Sequence, residues 1–155
     1  MRPLSALLLS CSLAACGGAS SGAASSADGA TASTSGSESS SEAAPRFAMV
    51  TVDQVAARVE AHDPRLAVFD ANGRETYDEH HVPGATWVHY DSVTADVLPA
   101  DRGASLVFYC ANEHCSASHV AAETALDLGY TDVSVMGGGI QGWIDAGKPV
   151  ESAAH

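Results

Sequence analysis

The sequence predicts an α/β domain with a mostly parallel sheet. From Phe47 onward, short apolar, β-prone runs alternate with segments of helical periodicity, the order that lays helices over parallel strands. Two of those runs, Leu66-Ala67-Val68-Phe69 and Leu106-Val107-Phe108-Tyr109, are apolar at every position. Strands covered on both faces have that pattern. The first run leads into Asp70 and the second into Cys110, so two chemically distinctive side chains are expected at strand carboxyl ends.

Taken in order, Phe47 to Val50 is a brief first strand. Thr51 with Gln54 three residues on forms a capping box, opening a helix that runs to about His62 with Val52, Val55, Ala56 and Val59 on one face. Asp63-Pro64 breaks it, and Leu66 to Phe69 follows as the second strand. Beyond Asp70, a polar segment leads to the Val82-Pro83-Gly84-Ala85 turn and a third strand over Thr86 to Tyr90. Asp91 to Asp96 is a short helix or loop ended by Pro99, and Leu106 to Tyr109 is the fourth strand. From Ser116, the positions Ala117, Val120, Ala121, Thr124 and Leu128 mark a helix face, with Gly129 just past its end. Asp132 to Met136 is the last strand, three glycines turn the chain, and Ile140 to Ala146 is a closing helix anchored by Trp143.

The N-terminal third is different in kind. Met1-Arg2, an apolar run from Leu4 to Leu13, and Leu13-Ala14-Ala15-Cys16 before two glycines make a secretory signal too short to span a bilayer. The cysteine after Leu-Ala-Ala resembles a bacterial lipobox, which implies residues 1–15 as a lipoprotein signal peptide and Cys16 as the lipidated first residue. Gly17 to Pro45 is almost entirely Ser, Ala, Gly and Thr and buries too little to order itself. It reads, with Cys16, as a tether over 16–45 with an end-to-end distance of roughly 30 Å. The expected place is the cell envelope, on the periplasmic side. No Asp follows Cys16, which favours the outer membrane over the inner.

The formal charge of −12 argues against nucleic acid and anionic lipid surfaces as partners, since both need basic patches. Membrane contact is expected through the lipid anchor alone. Of four cysteines, Cys11 goes with the signal and Cys16 is modified. Cys110 and Cys115 remain, and export places them where disulfides form.

Cys110 is the candidate nucleophile. It stands at a strand end, before the active-site loop Ala111, Asn112, Glu113 and His114 and the helix start, where backbone N–H groups and a helix N-terminus stabilise a thiolate. Cys115 is a candidate resolving thiol for a Cys110–Cys115 disulfide, or else fills a small pocket under the helix. Cys110, His114, Cys115 and His119 also spell a metal-like cluster, but crowding on one loop is unlike the paired spacing of structural zinc sites, so no metal is expected. His81 reads as bridging loop backbone, His62 and His155 as surface residues, and His89 as packed. Gly137, Gly139 and Gly142 satisfy G-x-G-x-x-G, yet the chain lacks the acidic residue about 20 positions on that a dinucleotide site needs; they read as a tight turn near the Cys110 loop.

With Asp70, His-Val-Pro-Gly-Ala at 81–85, the Cys110 loop, Gly-Tyr-Thr-Asp-Val at 129–133 and Gly-Gly-Ile-Gln-Gly-Trp at 138–143 in this order, residues 46–151 resemble the rhodanese-like family, leaving 152–155 as a tail. The resemblance implies a three-layer α/β fold with a five-stranded, mostly parallel sheet. It also implies a loop from Cys110 to Cys115 in which Cys110 takes a sulfane sulfur from a small donor and passes it, as a persulfide, to a thiol acceptor, with no cofactor.

Two departures matter. Many members carry Arg at the loop's last position, where this chain has Cys115, and Asp-x-Arg at the second strand's end, where it reads Asp70-Ala71-Asn72. Both remove positive charge and Glu113 adds a negative one, so thiosulfate is a disfavoured donor. A cysteine phosphatase needs Arg six positions after the nucleophile to clamp phosphate, and Ser116 stands there. The expected function is thus sulfane-sulfur transfer by an exported, lipid-anchored protein. The competing readings are a thiol–disulfide or persulfide redox protein using both cysteines, and a non-enzymatic module binding metal or an unknown protein partner.

Overall fold

The computed structural model describes residues 45–153. The expected signal peptide, the expected lipidation at Cys16 and the expected tether up to residue 44 fall outside the described residues. No helix among those described is long and apolar enough to cross a membrane.

The domain runs β1 (Ala48–Val50), α1 (Val52–Glu60), β2 (Leu66–Asp70), α2 (Arg74–Glu79), β3 (Thr86–Trp87), β4 (Ser105–Tyr109), α3 (Ala117–Asp127), β5 (Asp132–Met136) and α4 (Gly139–Asp145). The five strands form one sheet in the order β1-β5-β4-β2-β3, and every pairing is parallel. The fold class read from the sequence is the one observed. β4 lies at the centre and all of its residues are buried, as an unbroken apolar run requires. One core cluster gathers Phe69, Leu106, Phe108, Ala121, Ala122 and Ala125. The other gathers Val55, Val68, Val107, Tyr109, Ile140 and Trp143. Alternate residues of β4 thus serve opposite layers.

Local signals hold at several element ends. Thr51 caps α1, with its hydroxyl accepting from the Gln54 N–H and the Gln54 side chain accepting from the Thr51 N–H. Gly129 follows α3 at φ +92°, the left-handed conformation that releases a helix. Trp143 is buried and its indole N–H donates to the Pro149 carbonyl at 2.7 Å.

Three expectations are corrected. α2 was not anticipated, because its polar sequence carries no apolar face and none of its residues is fully buried. The third strand covers Thr86–Trp87 only; His89 and Tyr90 turn outward, and His89, expected to be packed, is bonded instead to Asp91. The buried side of α3 is Ser118, Ala121, Ala122 and Ala125, while Val120 is exposed. Small residues let this helix lie close to the sheet, a preference that hydrophobicity alone does not encode. Ser152 and Ala153, the start of the segment assigned to a tail, hydrogen-bond to the carbonyls of Glu79 and Asp78.

A buried polar knot fixes the strand ends that carry the site. Asp70, with no exposed surface, accepts the Asn72 N–H at 2.7 Å and the Tyr109 hydroxyl at 2.7 Å. The same Tyr109 oxygen accepts the Val82 N–H at 3.0 Å. Burial raises the Asp70 carboxyl above its usual range despite these donors, and burial with the adjacent carboxylate raises the Tyr109 hydroxyl as well.

A raised folded-state pKa contributes stability that is full at low pH and fades as pH rises through the folded value. Asp70→Asn, which turns an amide N–H toward a donor, is therefore expected to cost about 1–3 kcal/mol near pH 4. The deficit should narrow by about pH 7.5, where the native chain must keep a buried carboxylate charged. Urea unfolding of both proteins across that window reads it; a deficit that widens with pH contradicts the assignment.

Candidate functional site

Tyr109 ends β4, and the next residue, Cys110, is delivered at the carboxyl edge of the sheet. There a parallel sheet leaves a crevice between loops. Cys110 is 1% exposed. Its carbonyl accepts the Ile140 N–H at 2.8 Å, and the Ala111 carbonyl accepts the Gln141 N–H at 3.0 Å. The start of α4 is thereby stapled to the start of the loop. Gly139 makes this approach feasible: it adopts φ +59°, and a β-carbon there would lie 2.6 Å from Cys110 O, Ala111 C and Asn112 N.

Within the loop, Asn112 organises the turn. Its side-chain oxygen accepts the His114 N–H at 3.0 Å, and its carbonyl accepts the Cys115 N–H at 3.2 Å. Glu113 and His114 point outward and face each other at 3.5 Å. Cys115 closes the loop in a disulfide with Cys110, with Cα atoms 6.2 Å apart, inside the ordinary range for such bonds.

The loop differs from the sequence expectation in what surrounds the Cys110 sulfur. Its contacts are the Cys115 carbonyl oxygen at 3.1 Å and the Ser118 hydroxyl at 3.3 Å, rather than a ring of backbone N–H groups. Of the four residues of the metal-like cluster, only His119 lies within α3; Cys115 precedes it. The His119 ring packs on Phe47 at 5.1 Å, away from His114 with its Glu113 contact.

Two clefts flank the loop. One, about 220 Å³, is lined by Asn112, Glu113, Gly138, Gln141, Gly142 and Asp145 and is acidic. The other, about 420 Å³, is lined by Asn72, Arg74, Trp87, His89, Tyr90 and Cys115, among others. Arg74 is the one cation in either lining; it reaches over the Trp87 ring at 5.4 Å and pairs with Asp78 at 2.8 Å. Thus part of the charge lost by having Asn72 at the second strand's end is supplied two residues later. A third cleft, lined by Arg58, His62 and Asp63, lies around the start of β2 and holds no nucleophile.

His81 is structural, as expected. It exchanges backbone hydrogen bonds with Glu151, and its ring stacks on Tyr77 at 4.0 Å while Nδ1 meets the Tyr77 carbonyl. Sequence reasoning missed Ser118 and the aromatic wall of Trp87 and Tyr90. Ser118 was signalled only as a polar residue on an otherwise alanine-lined helix face.

Residues 51–146 match the Rhodanese-like domain family. Among solved structures, the BH2092 protein of Bacillus halodurans is similar at 22% identity and TM-score 0.64, over 68% of this chain and 77% of that one. A protein of unknown function from Rhodopseudomonas palustris, described as a possible tyrosine phosphatase, is similar at 26% identity and TM-score 0.56, over 68% and 85% of the two chains. SseA from Escherichia coli, described as a 3-mercaptopyruvate sulfotransferase with the rhodanese fold, is similar at 20% identity and TM-score 0.58, over 70% and 52%. The family match spans most of the described domain, from the N-cap of α1 to the end of α4, and this chain belongs to the Rhodanese-like domain family.

Proposed function

We propose that this protein transfers sulfane sulfur through a persulfide on Cys110, with Cys115 resolving that persulfide. The observation that carries this reading is the Cys110–Cys115 bond in a loop set at the end of the central strand. Family membership supports the chemistry at the coarser level. The Cys110 thiolate attacks a donor's sulfane sulfur, and the donor remainder leaves with the bonding pair. Cys110 then holds the added sulfur as a persulfide. The Cys115 thiolate attacks the Cys110 sulfur, the Cys110–Cys115 bond forms, and the terminal sulfur departs as hydrosulfide. Where an external thiol accepts the terminal sulfur first, Cys115 is not needed.

Thiosulfate is a disfavoured donor in this reading. A dianion meets Glu113 and Asp145 on one side of the loop and, on the other, a single arginine already paired with Asp78. The disulfide itself also supports a second reading, a thiol–disulfide redox protein in which the same pair cycles without any persulfide.

Export and anchoring through Cys16 belong to the same proposal, supported by the Leu13-Ala14-Ala15-Cys16 motif. The acyl chains would hold the domain at a membrane of the cell envelope, the outer one favoured, without a spanning helix.

Incubating the reduced protein with thiosulfate, mercaptopyruvate and a low-molecular-weight persulfide in turn, followed by intact-mass analysis, separates the two readings. Cys115→Ala should retain one added sulfur on Cys110, and Cys110→Ser should retain none. Absence of sulfur on both the native protein and Cys115→Ala, with the disulfide still reversible, leaves the redox reading. Radioactive palmitate fed to cells should label the native chain and leave Cys16→Ser unlabelled; label that persists on Cys16→Ser removes the anchor from the proposal.

A further inference from the structure

The two sulfurs of the disulfide are not equivalent. Cys110 is 1% exposed and absent from either flanking cleft, whereas Cys115 is partly exposed and forms part of the wall of the 420 Å³ cleft beside Trp87, His89 and Tyr90. An outside thiolate entering that cleft therefore meets Cys115 and not Cys110. Ser118 is not part of that cleft's lining and contacts the other sulfur, that of Cys110. It is 2% exposed, sits on the first turn of α3, and its hydroxyl has the Cys110 sulfur at 3.3 Å as its hydrogen-bond partner.

We infer that the disulfide is opened at Cys115 by a low-molecular-weight thiol, and that Ser118 holds the Cys110 sulfur as the departing thiolate. A disulfide sulfur is a weak acceptor and a thiolate a strong one, so the Ser118 bond strengthens as Cys110 leaves. Lowering the pKa of the leaving thiol speeds its departure.

In the first step the incoming thiolate forms a bond to the Cys115 sulfur, the Cys110–Cys115 bond breaks, and its electron pair stays on Cys110. A second thiolate attacks the outer sulfur of the mixed disulfide, releasing Cys115 as a thiolate and the two reductants as their own disulfide. Two thiols are oxidised and the protein gains two electrons. The inference rests on reading the disulfide as the resolved state of the proposed cycle, and it assigns Ser118 to the half of that cycle that restores Cys110.

The test uses the full chain, oxidised, with limiting 2-mercaptoethanol and with iodoacetamide present to cap the released thiolate. Cleavage after Glu113 separates the two cysteines for mass spectrometry. The mercaptoethanol adduct is expected on Cys115 and the cap on Cys110; the reverse assignment overturns the inference. In the reduced protein, the pH profile of Cys110 alkylation, read on the peptide ending at Glu113, is expected to move up by about one pH unit in Ser118→Ala. Ser118→Thr should restore the native profile, which loss of packing alone would not do. A Ser118→Ala profile that coincides with the native one overturns the role of Ser118. Neither measurement involves a sulfur donor, so either can succeed where persulfide loading fails.

Discussion

The Ile140 N–H donated to the Cys110 carbonyl is the contact on which the site's geometry depends. A loop leaving a central strand has no sheet partner for its carbonyls, and buried carbonyls without partners are costly. Here the first turn of α4 supplies the missing donors, Ile140 for Cys110 and Gln141 for Ala111. The helix can come so close only because Gly139 has no side chain and adopts a left-handed conformation. The loop's direction, and with it the placement of Cys110 against α3, follows from a glycine and two amides nearly thirty residues downstream in the chain.

The same edge of the sheet is held from the other side by the buried contact between Asp70 and Tyr109. A carboxylate without solvent is expensive, and this one remains because each oxygen meets a donor and because Tyr109 passes the restraint on to Val82. Strands β2 and β4, already paired along their length, are thus also tied at the ends where their loops begin. Cys110 is the residue immediately after that tie. Its position is set by hydrogen bonds on both flanks, and the intervening residues Glu113 and His114 are left exposed.

Much of this is legible in the sequence. Unbroken apolar runs fixed β2 and β4, the Thr51–Gln54 pair fixed the start of α1, and Asp132–Met136 was read to the residue. Cys110 stands out in the sequence by its place at a strand end before a polar loop and a small-residue helix, and Cys115 by closing that loop. The failures share one cause: features that depend on tertiary proximity leave no periodic trace. α2 is polar throughout and forms against neighbours rather than by burying a stripe. The outward turn of His89 and Tyr90 follows the early end of β3 at Trp87, and the inward turn of Ser118 places it on the buried side of α3. Arg74 lines the same cleft as Cys115 only because α2 brings it there, which no local spacing rule around the loop anticipates.

Having Cys115 rather than an arginine at the loop's end exchanges a permanent charge for a bond that can be made and broken. An arginine at the loop's end is always present and always cationic, so such a loop is ready whenever substrate arrives. With a cysteine, the closed loop has no free sulfur to offer, and the site exists only after two electrons have been delivered. In the proposed cycle, the rate at which sulfur moves is therefore limited by the supply of reducing equivalents at the place where the protein resides. In that cycle the loop would meter local reductant as much as carry sulfur.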